Sequence, residues 1–170
     1  MRHRISKVYL DTTQSNICIG VFANGAEVVL AGTTVNAMAV KYKNGEYQRF
    51  AEEYDIHFIF DDNIPKIDFY AVPMVEVFAV DSLGGYIGSL GQPTDLQENI
   101  PICYIDIDKR CYLIAENGKE FLKNAHQWKK HLTPCADIEL FESLKEAQKN
   151  YEFLDRVKLE QELQNLNTAK

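Results

Sequence analysis

Residues 74–89 read MVEVFAVDSLGGYIGS, and this stretch decides the fold class. Residues 74–81 are rich in β-branched and aromatic side chains, which favour an extended strand. The turn at 82–85 contains two glycines, and 86–89 begins a second extended run. The pattern predicts two strands joined by a tight corner, which is the seed of an antiparallel sheet.

Upstream of this corner the chain also reads mainly as strands. Asn24-Gly25 separates two β-rich runs and predicts a hairpin, because both turn positions need positive φ. Aromatic and alanine side chains recur every three or four positions over 45–54 and predict a short helix. The other predicted strands in this half are 16–23, 26–31, 33–42, 56–60 and 67–72.

Downstream, two further strands are predicted at 102–108 and 111–116, followed by helices at 118–132 and 137–166. The last helix has the clearest apolar period in the chain. Its apolar stripe consists of Phe141, Leu144, Ala147, Tyr151, Leu154 and Val157. Strands first and helices last predict a single α+β domain over 1–170, with helices packed on a mainly antiparallel sheet.

The composition is that of a folded, acidic protein. Of 170 residues, 46% are apolar and 25% charged, which excludes a disordered chain. The net charge of −7 disfavours broad nucleic-acid binding and an anionic membrane surface, since both need clustered Lys and Arg. No apolar run resembles a signal peptide or a membrane span, so we expect a cytoplasmic protein with neither nucleic acid nor membrane as partner.

The acidic excess is concentrated between Glu46 and Asp81. This window holds nine acids against Arg49 and Lys66, while the remainder has sixteen acids and sixteen bases. One interpretation is a solvated face that keeps the protein soluble. The other is an acidic surface that contacts a basic partner. The candidate partner-binding residues are Glu52, Glu53, Asp55, Asp61 and Asp62.

The sequence contains no strong catalytic or metal-binding motif. Its four cysteines form no Cys-x-x-Cys pair, so the usual zinc pattern is missing. They could form two disulfides, but a chain of this size does not depend on them. We therefore expect no enzymatic activity and no cofactor.

Asp106 and Asp108 carry the alternative enzymatic hypothesis. On a strand, residues two apart share a face, so both carboxylates could hold Mg²⁺ or Mn²⁺ in a small metal-dependent enzyme. The competing interpretation is an amphipathic strand, with Tyr104, Asp106 and Asp108 on its exposed side. Cys103, Ile105 and Ile107 would then form its buried side.

Three segments resemble the SUKH superfamily, which includes fungal regulators of cell-wall assembly and glucan synthesis and many bacterial immunity proteins. They are 77–88 (VFAVDSLGGYIG), 102–106 (ICYID) and 114–122 (IAENGKEFL). In order, they are similar to the family's strand ending in Asp near a Gly-Gly turn, its Tyr-Ile-Asp strand and its short helix ending in Phe-Leu. The resemblance covers about residues 70–123.

The resemblance implies a non-enzymatic binding domain with no catalytic residues. Family members of the bacterial type neutralise cognate toxins, often nucleases, by direct binding. The leading hypothesis is therefore an immunity-type protein that masks a toxin, with the acidic window facing a basic toxin domain. A further alternative is a regulatory scaffold of cell-wall assembly that docks through its long C-terminal helix.

Overall fold

A computed structural model describes residues 7–12, 27–92, 94 and 99–153 of the chain. Its strands are β1 (Lys7–Asp11), β2 (Glu27–Ala31), β3 (Thr33–Val35), β4 (His57–Phe58), β5 (Tyr70–Val72), β6 (Val75–Val80), β7 (Tyr86–Leu90), β8 (Ile102–Ile105), β9 (Cys111–Ala115), β10 (Thr133–Pro134) and β11 (Glu139–Phe141). Its helices are α1 (Gly45–Tyr54), α2 (Gly118–Lys123) and α3 (Leu144–Gln148), with 3-10 helices at Val40–Tyr42 and Ala125–Lys130. The predicted α+β class is confirmed.

Seven of the described strands form the main sheet, which is mainly antiparallel as predicted. Its order is β10-β9-β8-β7-β6, and β3 and β4 both pair with the far edge of β6. β3 runs parallel to residues 75–77, while β4 runs antiparallel to Ala79 and Val80. The predicted corner at 82–85 joins β6 to β7, so the pair that decided the fold class lies inside the sheet.

Both faces of this sheet are covered. On one face, Phe78 and Tyr104 pack with Phe121 of α2 and Trp128 of the second 3-10 helix. On the other face, Val75, Val77, Cys103 and Ile105 pack with Phe69 and Ile138. Those two residues lie near a small antiparallel pair made by β5 and β11. The core is therefore split into two layers by the sheet.

The prediction of an amphipathic strand over 102–108 is wrong. β8 ends at Ile105, and all four of its residues are buried, including Tyr104, which was expected on an exposed side. Ile107, expected on the buried side, is 66% exposed in the turn that follows. The physical reason is that β8 lies between β7 and β9 in a sheet covered on both faces, so neither of its sides meets water.

The prediction of a continuous helix from 137 is also wrong. Residues 139–141 form β11 instead, because their backbone pairs with β5. A new helix, α3, then starts at Leu144. Ser143 is its N-cap, because its Oγ accepts a hydrogen bond from the backbone N–H of Glu146. Phe141 and Tyr151, predicted on one helical stripe, do contact each other, with ring centroids 5.9 Å apart. Residues 154–166 of the predicted helix lie outside the described residues.

Two other predictions are met in part. The helix predicted over 118–132 is broken into α2 and the 3-10 helix Ala125–Lys130, with a non-helical φ of −137° at Gln127. The predicted strand 26–31 appears as β2, which pairs in parallel with β1. The Asn24-Gly25 hairpin turn and its first strand lie outside the described residues.

Gly88 is needed where β7 pairs with β6. A Cβ there would lie 2.6 Å from the carbonyl oxygen of Glu76, so Gly88→Ala must push the two strands apart. We expect a loss of about 2 kcal/mol in the free energy of unfolding, measured by urea denaturation. Gly45→Ala is the control, since a Cβ there meets nothing within 4 Å. Equal urea midpoints for the two variants would contradict the close packing of β6 on β7.

Candidate functional site

Asp81 lies at the end of β6 and is 6% exposed. Its Oδ1 accepts hydrogen bonds from the backbone N–H groups of Leu83 and Gly85, and its Oδ2 accepts one from the Tyr104 hydroxyl at 2.6 Å. Burial and the Asp81 carboxylate raise the pKa of Tyr104 above its usual range, which keeps this phenol a neutral donor. The Asp, Gly-Gly and Tyr residues that carry the family resemblance therefore form one structural unit.

Asp106 and Asp108 lie in the turn between β8 and β9, not on one strand face. Asp106 Oδ1 accepts hydrogen bonds from the backbone N–H groups of Asp108 and Arg110, at 3.0 and 2.9 Å. Lys109 completes the turn with a φ of 66°. Within the described ranges no group of three or more His, Cys, Asp or Glu side chains is arranged to hold a metal ion.

Asp55 forms a junction at the C-terminal end of α1. Its carboxylate accepts hydrogen bonds from Lys129 Nζ at 2.6 Å and from Ser82 Oγ at 2.7 Å, and contacts His57 Nε2 at 2.9 Å. Burial opposes the charged form of Asp55, but these hydrogen bonds outweigh it and lower its pKa to about 2. The junction ties α1 to β4, the β6–β7 corner and the second 3-10 helix.

The contacts that Asp55 makes with Ser82 and His57 do not have the geometry of a nucleophilic triad. In such a triad the imidazole lies between the hydroxyl and the carboxylate and takes the hydroxyl proton. Here the carboxylate lies in the middle, and Ser82 donates directly to it. The arrangement can hold three chain segments together, but it does not activate the serine.

The structure separates the nine acids of the 46–81 window into inward and outward groups. Glu76 and Asp81 accept hydrogen bonds within the fold, while Asp68 is exposed but pairs with Lys109 at 2.8 Å and is not counted further. Asp55, a predicted partner-binding residue, bonds to its own chain as described above. The outward acids are Glu46, Glu52 and Glu53 on α1, and Asp61 and Asp62 in the turn after β4.

Arg49 forms ion pairs with two of the outward acids. It pairs with Glu46 at 2.9 Å and with Glu53 at 3.6 Å on one side of α1. Glu52 points to another side, where its carboxylate accepts a hydrogen bond from Gln48 at 3.0 Å. Of the predicted partner-binding residues, Glu52, Asp61 and Asp62 thus remain as carboxylates without an ion pair among the described residues.

One of those three acids, Asp62, lines a groove between α1, β4 and the 61–65 turn, which we call the aromatic groove. Its volume is about 590 Å³. It is lined by Lys43, Asn44, Tyr47, Gln48, Ala51, His57, Phe58, Ile59, Phe60, Asp62, Asn63, Pro65 and Val80. Asp62 and Lys43 are side chains of opposite charge in this lining, and Gln48, which also lines the groove, donates a hydrogen bond to Glu52.

Three aromatic rings form the apolar part of the groove. Tyr47 makes edge contacts with Phe58 and Phe60, with ring centroids 5.3 and 5.4 Å apart. Lys43 places its ammonium 5.2 Å from the Phe60 ring, so one cation also lies at this site. A second, smaller pocket of about 300 Å³ lies beside the other flank of α1 and shares Asn44, Tyr47 and Phe58 with the groove.

Sequence reasoning identified the acids but missed the aromatic groove. Tyr47 was assigned to the apolar stripe of a helix and Phe58 to a strand, and both assignments are correct. The space between the two elements depends on how α1 packs on the sheet. The local sequence pattern of either element gives no information about that packing.

Comparison with known proteins adds no assignment. No protein-family model matches the chain, and neither a curated protein nor a solved structure shows significant similarity to it. In the part of the chain that the structure describes, no helix is long and apolar enough to cross a membrane.

The Asp55 junction predicts a specific acid sensitivity. Because its pKa is lowered from 3.8 to about 2, its contribution to stability is present above pH 3.8 and is lost as the pH falls through 2. The difference in the free energy of unfolding between wild type and Asp55→Asn should therefore shrink between pH 5 and pH 2, measured by urea denaturation at each pH.

Two lysine variants provide the controls for this measurement. Lys129→Met removes the closest partner of Asp55 and should flatten the acid dependence in the same way. Lys130→Met changes a neighbouring exposed lysine that has no ion pair among the described residues, and it should behave as wild type. A constant difference between wild type and Asp55→Asn across this pH range would refute the junction.

Proposed function

We propose that this protein is a non-enzymatic binding domain of the immunity type, located in the cytoplasm, which neutralises a basic toxin domain by direct contact. The observation that carries the proposal is the aromatic groove, with Asp62 in its lining and Glu52 bonded to its lining residue Gln48. The resemblance of residues 70–123 to the SUKH superfamily supports the same class of function.

The apolar part of the groove suits a protein partner. Interface hot spots are enriched in large aromatic side chains that fill a pocket and exclude water. Tyr47 and Phe58 are half-buried and offer such a surface, while Phe60 is 6% exposed and packs against Tyr47. An aliphatic or aromatic side chain of the partner would pack on these rings and provide most of the affinity.

The charged rim suits a basic partner. Asp62 in the lining and Glu52, which is bonded to the lining residue Gln48, are two carboxylates beside the ammonium of Lys43, so we expect this site to favour a positively charged partner. Complementary charges of this kind speed association and reject partners of the wrong sign more than they strengthen binding.

The two alternative hypotheses have less support among the described residues. The metal-dependent enzyme relied on Asp106 and Asp108 on one strand face, but Asp106 instead accepts backbone hydrogen bonds in a turn. The docking scaffold relied on a long helix from 137; residues 139–141 form β11, and residues 154–166 lie outside the described residues.

Site-specific crosslinking in the source cell tests the proposal directly. A photoreactive phenylalanine derivative replaces Gln48, which lines the groove, or Gln148, the exposed last residue of α3. We expect the Gln48 position to crosslink one basic protein that also co-purifies in a one-to-one ratio, and the Gln148 position not to do so. No stoichiometric partner, or an acidic one, would overturn the proposal.

Charge reversal tests the rim. The triple variant Glu52→Lys, Asp61→Lys and Asp62→Lys should slow association with the crosslinked partner about tenfold at low salt, because steering by the acidic rim is lost. It should also weaken the salt dependence of the association rate, measured by surface plasmon resonance. Asp108→Lys with Asp137→Lys, at exposed acids outside the groove, should leave the rate within about twofold of wild type.

Filling the groove tests its shape separately from its charge. Ala51 lines the groove from α1, so Ala51→Trp should occupy the space and raise the dissociation constant of the same partner at least about tenfold. Ala136→Trp adds the same ring at an exposed position elsewhere and should leave the dissociation constant unchanged. Equal affinities for both variants would place the partner on another surface.

A further inference from the structure

The three cysteines that the structure describes lie on neighbouring parts of the main sheet and are all free thiols. Cys103 is buried within β8, Cys111 is the first residue of β9, and Cys135 follows β10 directly. All three belong to the same apolar layer of the core. Their side chains therefore lie on one face of the sheet, with Cys111 and Cys135 at its β10 edge and Cys103 on the interior strand β8.

The register of β10 on β9 places Cys135 opposite Cys111. Thr133 pairs with Leu113 and Pro134 with Tyr112, so the next position brings the two cysteines together. The backbone N–H of Cys135 donates to the carbonyl oxygen of Cys111 at 2.9 Å, which continues the ladder to this pair. Directly opposite residues in an antiparallel pair have Cα atoms about 4.5–5.5 Å apart, within the span of about 4.4–6.8 Å that a disulfide requires.

Accessibility separates this pair from the third cysteine. Cys111 and Cys135 are half-buried, whereas Cys103 is fully buried, and that burial raises the pKa of its thiol above the usual range. Burial, together with the neighbouring Cys135 and Asp106, also raises the pKa of Cys111 to about 11. Cys111 is therefore a weak nucleophile at neutral pH, and we place the first attack on Cys135, which directly follows the edge strand β10.

We propose that Cys111 and Cys135 form a reversible disulfide in response to a low-molecular-weight disulfide such as oxidised glutathione. The Cys135 thiolate attacks one sulfur of the oxidant, a mixed disulfide forms, and one glutathione thiolate leaves. Cys111 then gives its proton to solvent and attacks the Cys135 sulfur, which expels the second glutathione. The protein loses two electrons and two protons, and the oxidant is reduced to two glutathione molecules.

The disulfide encloses the elements that support the aromatic groove. The chain between the two cysteines contains α2 and the 3-10 helix Ala125–Lys130. Within that helix, Trp128 donates a hydrogen bond to the carbonyl oxygen of Tyr54 at 2.7 Å, and Lys129 pairs with Asp55. Oxidation therefore stabilises the segment on which the C-terminal end of α1 rests, whatever partner occupies the groove.

The test uses the full-length protein, reduced and then equilibrated with excess oxidised glutathione. We expect the intact mass to fall by two hydrogen atoms, and the proteolytic map to contain one peptide pair that joins Cys111 to Cys135. Closing this loop should also raise the melting temperature by about 5–10 °C, reversed by dithiothreitol.

Single cysteine variants separate the proposed pair from its competitors. Cys111→Ser and Cys135→Ser should each abolish the mass loss and the thermal shift, and Cys135→Ser should leave no mixed disulfide on Cys111. Cys103→Ala and Cys18→Ala should retain both effects. A bond to Cys103 or Cys18, a stable glutathione adduct that is never resolved, or no oxidation at all would each overturn the proposal.

Discussion

The buried carboxylate of Asp81 is the interaction on which the rest of the structure depends. It ends β6, closes the corner into β7 through the backbone N–H groups of Leu83 and Gly85, and reaches β8 through Tyr104. A buried carboxylate is costly unless its oxygens are satisfied, and here both are. Removing Tyr104's hydroxyl would leave one oxygen unpaired, so the corner and the central strand stabilise each other. Gly85 completes the unit because a side chain there would collide with Tyr104.

The Asp55 junction and the Asn44 cap hold the two ends of α1 in place, as Asp81 holds the corner and the central strand of the sheet. Asn44 accepts hydrogen bonds from the first backbone N–H groups of the helix, and Asp55 fastens its other end through Lys129, Ser82 and His57. Between these two ends, α1 contacts the sheet only through partly buried side chains. A helix held in this way leaves open space along its flanks. The aromatic groove is that space, and its shape depends on both attachments.

Much of the architecture could be predicted because it rests on local patterns. The corner at 82–85 and the boundaries of α1 follow from glycine, aromatic and alanine spacing, and the structure has them where expected. The errors arose where tertiary pairing outweighs periodicity. Residues 139–141 have helical spacing, yet β5 offers them a strand partner. Ser143-x-x-Glu146 was the local signal that a new helix begins later, since this spacing is typical of a capping box.

The sequence by itself determined the α+β class, the acidic character of 46–81 and the position of Asp62, the acid that lines the groove. These are properties of composition and spacing, which exist before the chain folds. Only the tertiary structure decided which acids face outward and that Tyr104 is buried. It also decided that Cys111 meets Cys135 and that Tyr47, Phe58 and Phe60 enclose a groove. Each of these depends on contacts between residues that are distant in the chain, and such contacts are set by how the layers pack together.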